Sequence, residues 1–281
     1  MYPELFKIGP FTVYSYGVMF AAAFIAAVFF WMKEMKRKGF DKIIGVEMAL
    51  LGLLFGIIGS KLLFLIENWE RFIDNPFTMA FTAVGSTYYG GLILTIIVLA
   101  IYLKKKKIPF LIMADAGAPS LIISAGIGRL GCHLAGDGDY GIPTNLPWGV
   151  NYENGTMPPS TSFRNTEIAK SFPDGILPDN TPLHPTPVYE FIAALIIFFI
   201  LWRNRKNNWA DGRLFMLYLI LSAGSRFLVE FIRLNPRVLF GFSEAQLIAL
   251  MLGTIGIAGF YRLKNNTTRK RHPELVSGSQ E

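Results

Sequence analysis

Long apolar stretches recur along this chain and limit its possible folds more than any other feature. Stretches that can cross about 30 Å of hydrocarbon are typical of transmembrane helices. Seven occur, at 13–32, 46–66, 88–103, 110–134, 187–202, 213–231 and 243–262. We therefore predict an all-α, polytopic integral membrane protein with about seven transmembrane helices.

The composition indicates the same class of protein. Apolar residues make up 52% of the chain and the mean hydropathy is +0.39, which is too apolar for an ordinary soluble protein. The net charge of +7 could suggest a nucleic-acid partner, but the basic residues lie in short clusters between apolar stretches, as topology signals do. We therefore expect membrane lipid around the chain and no nucleic acid.

The distribution of lysine and arginine predicts the orientation of the chain. One set of alternate loops, at 33–42, 104–107, 203–213 and 262–271, holds eighteen of the 27 basic residues, and the opposite set holds six. Because basic loops stay in the cytoplasm, the N-terminus is expected in the periplasm and the C-terminus in the cytoplasm. The first basic cluster follows the first apolar stretch, so that stretch is expected to be a retained helix and not a cleaved signal.

Two polar segments outside the apolar stretches bear on the domain organisation. The segment 135–186 is rich in Gly, Pro, Asn, Asp, Ser and Thr and is expected to form a long periplasmic loop between the fourth and fifth helices. Loops of this length are usually functional or disordered, and the turn signal Asp137-Gly138-Asp139 favours order in its first part. We predict a single seven-helix transmembrane domain over 1–263, including this loop, and a disordered, polar cytoplasmic tail at 264–281.

The ionisable residues that stand out inside the predicted helices are Lys61, Arg129, Arg226 and Glu230. Such a charge costs at least about 2.5–3.5 kcal/mol to insert, so these side chains are expected to face a cavity, a partner or a ligand. Arg226 and Glu230 are spaced i, i+4 and can pair on one helix face. Arg129 has no carboxylate at helical spacing before it, so its counter-ion comes from another segment or, as we favour, from an anionic ligand. Both arginines suit a phospholipid phosphate, although residues near helix ends can also simply reach the headgroup layer.

A glycine-rich block surrounds Arg129, with glycines at 128, 131, 136, 138 and 141. Glycine lets a lipid or a peptide approach the backbone closely, but it also packs transmembrane helices. The block includes His133, Asp137 and Asp139, and acid–base chemistry needs titratable groups of this kind beside an anion site. The single cysteine, Cys132, cannot form an internal disulfide or a structural zinc site. No metal cluster or nucleotide motif is visible in the sequence, so no metal or cofactor is expected.

Motifs in five of the predicted helices resemble those of bacterial prolipoprotein diacylglyceryl transferases. The most specific is the block from Gly128-Arg129-Leu130-Gly131 to Gly141. The others are Tyr16-Gly17, Tyr89-Gly90-Gly91-Leu92, His184-Pro185-Thr186 through Tyr189-Glu190, and Arg226-Phe227-Leu228-Val229-Glu230-Phe231-Ile232-Arg233. They occur in the family's order and span nearly the whole chain.

The resemblance implies an enzyme of the bacterial inner membrane with its active site toward the periplasm. Such an enzyme moves the diacylglyceryl group of phosphatidylglycerol onto the lipobox cysteine of a prolipoprotein signal peptide. The product is a thioether, and glycerol phosphate is released. Arg129 and Arg226 match the family's two essential arginines. The matching substrate-binding positions are Arg129, Tyr16, Gly141, Glu230, Arg233 and Asp137.

The chain departs from the family's pattern near the expected proton acceptor. The third-helix histidine of the family is Tyr89 here, its signature asparagine is Cys132, and the signature is one residue longer, so Asp137 and Asp139 compete for its acidic position. A phenol with a pKa of about 10 is a poor resting base at neutral pH. The candidates for accepting or relaying the thiol proton are Tyr89, His133, Asp137 and Asp139.

Two other functions stay open from the residues alone. A transporter or lipid-binding membrane protein would use the same arginines to hold an anion, with alternating access and no covalent product. A scaffold in a membrane complex would leave the intramembrane arginines unexplained. No internal repeat is evident, which weakens an inverted-repeat transporter.

Overall fold

The computed structural model describes residues 1–82, 85 and 87–263, and most of these residues are α-helical. The helices are α1 (Ser15–Lys38), α2 (Lys42–Glu67), α3 (Trp69–Asp74), α4 (Pro76–Phe81), α5 (Tyr88–Lys105), α6 (Phe110–Ala135), α7 (Pro159–Ser162), α8 (Glu167–Lys170), α9 (Thr186–Asn204), α10 (Arg213–Val229) and α11 (Glu244–Arg262). Short 3-10 turns lie at Pro173–Gly175 and Glu230–Ile232. The strands β1 (Glu4–Ile8), β2 (Phe11–Tyr14), β3 (Arg237–Leu239) and β4 (Phe242–Ser243) pair as two antiparallel ribbons, β1 with β2 and β3 with β4. The predicted tail at 264–281 lies outside the described residues.

Seven of the described helices are long and apolar enough to cross a membrane. These are α1, α2, α5, α6, α9, α11 and α10 with the 3-10 turn that follows it. They coincide with the seven predicted stretches apart from a few residues at the ends. Large apolar side chains point outward from them, such as Ile57 and Phe199, which are 63% and 64% exposed. The prediction of a mostly helical, multi-pass membrane protein is confirmed.

The two ribbons and the short helices α3 and α4 are absent from the sequence prediction. In the first ribbon Ile8 pairs with Phe11 across a two-residue turn, in which Gly9 has a φ of +58°. Glycine adopts this conformation without a steric penalty. Hydropathy alone extends the first membrane helix back to residue 13. In the structure β2 ends at Tyr14 and α1 begins at Ser15. The Ser15 N–H donates a hydrogen bond to Pro3 O at 2.9 Å.

Polar side chains fix the beginnings of two membrane helices. Asp41 precedes α2, and its carboxylate accepts a hydrogen bond from the Ile43 N–H at 2.9 Å. Ser243 precedes α11, and the side chains of Ser243 and Gln246 each accept from the other's backbone N–H. Each such cap satisfies first-turn N–H groups and is worth about 1 kcal/mol. The Ser243 hydroxyl also donates to Glu230 Oε1 at 2.7 Å, so the cap of α11 touches the end of α10.

The described residues divide into two compact units, 1–29 with 117–263, and Phe30–Ala116. In the second unit α2 packs against α5. A Cβ atom on Gly91 would lie only 2.6 Å from the Gly56 carbonyl oxygen, so these helices pack this closely only with glycine there. The single domain over 1–263 stays a prediction.

The segment between α6 and α9 has a hydrophobic core of its own within the first unit. Its buried residues are Tyr140, Tyr152, Phe163, Ala169, Leu177 and Leu183. The Tyr140 hydroxyl donates to Met157 O at 2.6 Å and lies 2.7 Å from Ser162 Oγ. Burial raises the pKa of Tyr140 to about 12. The segment therefore folds on itself and can hold the residues at its two ends in fixed positions.

Candidate active site

Three arginines and three carboxylates meet near the end of α6, the beginning of α9 and the end of α10. The arginines are Arg129 on α6, Arg226 on α10 and Arg233 after the 3-10 turn, and the carboxylates are Asp139 after α6, Glu190 on α9 and Glu230 in the 3-10 turn. All six belong to the first compact unit. They form one continuous network of ion pairs. We call them the arginine–carboxylate network, and its formal charges balance.

Arg129 is held by two carboxylates from other segments. Its Nη1 contacts Asp139 Oδ2, and its Nε lies 3.3 Å from Glu190 Oε2. From the sequence alone we favour an anionic ligand as the counter-ion of Arg129, but the structure supplies two protein carboxylates. Spacing along a helix cannot predict these two ion pairs, because neither carboxylate lies on α6.

Arg226 pairs with one carboxylate from its own helix end and one from α9. Its Nη2 lies 3.1 Å from Glu230 Oε2, as the i, i+4 spacing predicts, and its Nη1 lies 2.7 Å from Glu190 Oε1. Glu230 is fully buried, and it also accepts hydrogen bonds from Ser243 Oγ at 2.7 Å and Asn235 Nδ2 at 2.6 Å. A buried carboxylate with this many partners is firmly oriented, so it can in turn orient Arg226.

Arg233 and Gly141 join the glycine-rich block to the end of α10. Arg233 Nη2 contacts Asp139 Oδ1, and the backbones of Gly141 and Arg233 form an isolated β-bridge. A Cβ atom on Gly141 would lie 2.5 Å from Ile232 O and 2.9 Å from His184 Cβ. Only glycine fits between these two segments, because any side chain at position 141 would collide with them.

The three arginines differ in accessibility. The side chains of Arg129 and Arg226 are 34% and 29% exposed, whereas that of Arg233 is 7% exposed. Arg233 is thus placed to hold the network together, while the other two keep surface that a ligand can reach. A guanidinium donates parallel hydrogen bonds to phosphate oxygens and stabilises charge that develops on a leaving group.

Asp139 is the most exposed of the three carboxylates. Burial alone would raise the pKa of its carboxyl group, but Arg233 and Arg129 outweigh this effect and hold that pKa below its ordinary value of 3.8. Asp139 is therefore ionised at neutral pH. Its backbone is anchored, because Thr186 Oγ1 donates to the Asp139 carbonyl at 2.6 Å.

An open cavity of about 480 Å³ is lined in part by Tyr16, Gly17 and Asp137. Tyr16 is 48% exposed and lies beside Gly131, where a Cβ atom would be 3.4 Å from Tyr16 Cδ2. The structure thus brings Tyr16 and Asp137, two predicted substrate-binding residues, to one cavity. The Asp137 side chain also accepts a hydrogen bond from the Asp139 N–H at 3.2 Å, which connects the cavity to the network.

Cys132 lies beside the two aspartates of the block. Its Sγ and a carboxylate oxygen from each of Asp137 and Asp139 lie within 4.8 Å of one another. Such atoms can ligate a metal ion, but Asp139 already pairs with Arg129 and Arg233, whose positive charge opposes a cation.

Two histidines from the motifs contact tyrosine hydroxyls. His133 Nδ1 lies 2.9 Å from the hydroxyl of Tyr152, which is fully buried, so this pair ties α6 to the core of the following segment. His184 Nδ1 lies 3.2 Å from the Tyr189 hydroxyl, and burial lowers the pKa of His184. A role for His133 as a base stays a prediction.

Tyr89 belongs to the second compact unit. Its side chain is 36% exposed and packs edge-on against Tyr88, with ring centroids 5.7 Å apart. Its part in proton transfer stays a prediction.

Glu190 is the network residue that sequence reasoning missed, since it entered only as part of a motif. Its side chain is 10% exposed and contacts Arg129, Arg226 and Arg233. One signal could have identified it. By the predicted topology Glu190 lies at the same end of the membrane as Arg129, which has no counter-ion on its own helix.

Comparison with known proteins agrees with the motifs. The sequence model of the prolipoprotein diacylglyceryl transferase family matches residues 3–262. A phosphatidylglycerol–prolipoprotein diacylglyceryl transferase of Clostridium tetani is 37% identical over 92% of this chain and 97% of its own length. Proteins of the same name from Fusobacterium nucleatum and Clostridioides difficile are 30% and 31% identical, over 95% and 89% of this chain and 99% and 91% of their own lengths. The chain therefore belongs to the prolipoprotein diacylglyceryl transferase family and is a diacylglyceryl transferase.

Proposed function

We propose that this protein transfers the diacylglyceryl group of phosphatidylglycerol to the cysteine thiol of a prolipoprotein lipobox in the bacterial inner membrane. The thiolate attacks the glycerol carbon that is bonded to the phosphate ester oxygen. A carbon–sulfur bond forms, the carbon–oxygen bond breaks, and glycerol phosphate leaves. This thioether would be the first product of lipoprotein maturation. The observation that supports the proposal most strongly is the arginine–carboxylate network, in which two arginines stay partly exposed.

Arg129 and Arg226 bind the phosphate of the lipid. Glu190 lies 3.3 Å from Arg129 Nε and 2.7 Å from Arg226 Nη1, so the two guanidinium groups converge on one carboxylate. Both guanidinium groups also keep exposed surface, so one phosphate can contact them together while Glu190 stays in place. As the ester bond breaks, the leaving phosphate gains negative charge, and donors held in place beforehand stabilise that charge most effectively.

The other substrate-binding residues support this clamp. Glu230 orients Arg226, and Arg233 holds Asp139, with Gly141 allowing the close backbone contact that places Arg233. Tyr16 and Asp137 line the adjacent cavity, where a hydroxyl group and a carboxylate can bind the glycerol hydroxyls of the headgroup.

The thiol must lose its proton during the reaction. A free cysteine thiol has a pKa of about 8.5, so most of it is protonated at neutral pH. The residues proposed to accept or relay the proton are Tyr89, His133, Asp137 and Asp139.

The distribution of basic residues supports a periplasmic N-terminus, a cytoplasmic C-terminus and an active site toward the periplasm. In this orientation the segment 135–186 covers the site from the periplasmic side. We further propose that residues 1–263 act as one domain.

Mass spectrometry of a lipobox peptide tests the proposal. The purified protein is incubated with phosphatidylglycerol and either the peptide or its Cys→Ser variant. We expect a diacylglyceryl adduct on the cysteine peptide alone, together with released glycerol phosphate. No adduct under conditions where a known transferase works would contradict the proposal and favour anion binding or transport without chemistry.

A further inference from the structure

The three carboxylates of the network are held to different degrees. Glu230 is fully buried and Glu190 is 10% exposed, and each contacts at least two arginines. Asp139 is 31% exposed and pairs with Arg129 and Arg233. It is therefore the carboxylate that can leave the network at the lowest cost.

Asp139 also occupies one of the positions on Arg129 through which a phosphate can bind. The Nε of Arg129 is directed at Glu190, whereas its Nη1 contacts Asp139. A phosphate that binds Arg129 through Nη1 must replace the Asp139 carboxylate. The Asp139 backbone need not move, because the Thr186 hydroxyl holds its carbonyl and its N–H donates to Asp137 Oδ1. Rotation of one side chain is sufficient.

We propose that Asp139 occupies the phosphate site on Arg129 in the free enzyme, and that the arriving lipid phosphate displaces it and so frees it to accept the thiol proton. This inference rests on the proposed function. It assigns the proton acceptor to one of the four candidates and makes that acceptor active only after the donor lipid has bound.

Charge balance favours this coupling. The free network is neutral, and a phosphodiester adds one negative charge. Loss of the thiol proton to solvent would add a second negative charge. Transfer of that proton to a nearby group leaves the net charge of the site unchanged. If Asp139 takes it, the thiolate attacks carbon, the carbon–oxygen bond electrons leave with the phosphate, and the Asp139 proton passes to the phosphate monoester or to water. Every charge and proton is then accounted for.

The groups around Asp139 indicate how its basicity changes. Arg129, Arg226 and Arg233 lower its pKa in the free enzyme, and a phosphate bound to the arginines offsets their positive charge. The ionisable groups that face it with negative charge, or gain it on deprotonation, are Tyr16, Cys132, Asp137 and, through the shared arginines, Glu190 and Glu230. These raise its proton affinity once the arginines are occupied.

Replacement of Asp139 separates binding from catalysis. In Asp139→Asn the competitor for Arg129 is weaker, so glycerol 1-phosphate should bind roughly fivefold or more tightly. Turnover should fall by about 10²-fold or more, because the proton acceptor is lost. The residual rate should rise with pH up to about 8.5 as the thiol ionises by itself, and Asp139→Glu should recover part of the turnover.

Calorimetric titration of the full-length protein in detergent with glycerol 1-phosphate gives the affinity, and the lipobox peptide assay gives turnover. Asp174→Asn is the matched control: it makes the same chemical change at an exposed position of the same segment, where a φ of +60° suits asparagine. If glycerol 1-phosphate binds Asp139→Asn more weakly than it binds the wild-type protein, the proposed displacement of Asp139 is wrong. Turnover within threefold of wild type would overturn the role in proton transfer.

The experiment also separates this inference from the proposed function. If the wild-type protein forms no thioether but glycerol 1-phosphate still binds more tightly to Asp139→Asn, the proposed function is wrong and only the displacement holds. If the thioether forms but binding weakens in Asp139→Asn, the function holds and the displacement is wrong.

Discussion

Glu190→Gln removes the negative charge that the three arginines share while changing the shape of the side chain very little. Glu190 lies 2.7 Å from Arg226, 3.3 Å from Arg129 and 3.4 Å from Arg233. A glutamine has one accepting oxygen and an NH₂ group that only donates, so it must present a donor to at least one guanidinium. Three arginines then share two carboxylates.

The size of the effect follows from burial. Removing one partner of a buried ion pair costs about 3–5 kcal/mol. Glu190 is nearly buried, but Arg129 and Arg226 are about one-third exposed and can recover part of their hydration. We therefore expect a loss of about 2–3 kcal/mol, which corresponds to roughly 30- to 160-fold in rate. The loss should fall on kcat more than on KM, because the unpaired positive charge still attracts phosphate.

Initial rates of lipobox peptide modification, measured by mass spectrometry at several phosphatidylglycerol concentrations, test this expectation. Glu153→Gln is the control, since Glu153 is an exposed glutamate of the 135–186 segment. Thermal unfolding in detergent shows whether each variant is folded. A folded Glu190→Gln enzyme with kcat within threefold of Glu153→Gln would refute the idea that this carboxylate holds the arginines in position.

Three further predictions follow from contacts around the site. Gly141→Ala should destabilise the protein by about 1–3 kcal/mol and slow transfer, because the added Cβ meets Ile232 O; thermal unfolding and turnover measure this. Ser243→Ala should cost about 1–2 kcal/mol and also reduce turnover, because the helix cap and the hydrogen bond to Glu230 are both lost. The pKa of Tyr140 is about 12 in the folded protein and 10.0 ordinarily, so its contribution to stability is complete below pH 10 and is lost as pH rises toward 12. Tyr140→Phe should flatten the alkaline dependence of the free energy of unfolding in that range.

Each of these variants has a control. Gly224→Ala places a Cβ in open space on α10 and should leave stability unchanged or slightly higher. Ser171→Ala and Tyr261→Phe change exposed residues of the same types. A Gly141→Ala variant as stable as Gly224→Ala would contradict the close contact. Unchanged turnover in Ser243→Ala, or an unchanged alkaline slope in Tyr140→Phe, would likewise contradict the roles given to those side chains.

The membrane helices could be predicted from the sequence because length and hydropathy are local properties. The first ribbon could not, since its apolar Val13 and Tyr14 are included in the stretch predicted to form α1. The turn at Gly9, across which β1 pairs with β2, is recognised only from its backbone conformation.

The network could be predicted only in part, because only some of its features are local in the sequence. Arg129, Arg226 and Glu230 stand out as charges within apolar stretches, and the pair of Arg226 with Glu230 follows from helical spacing. Glu190 and Asp139 pair with Arg129 from positions 61 and 10 residues away, so their contacts depend on how α6, α9 and the segment between them pack. Sequence spacing contains no such information.

The most direct test of the central claim compares Arg129→Ala with Arg164→Ala in the lipobox peptide assay. Arg164 is an exposed arginine of the 135–186 segment, so its removal changes net charge equally without touching the network. If partly exposed arginines stabilise the leaving phosphate, Arg129→Ala should lose on the order of 10²-fold or more in rate while Arg164→Ala transfers normally. A folded Arg129→Ala protein with near-normal turnover would contradict the account.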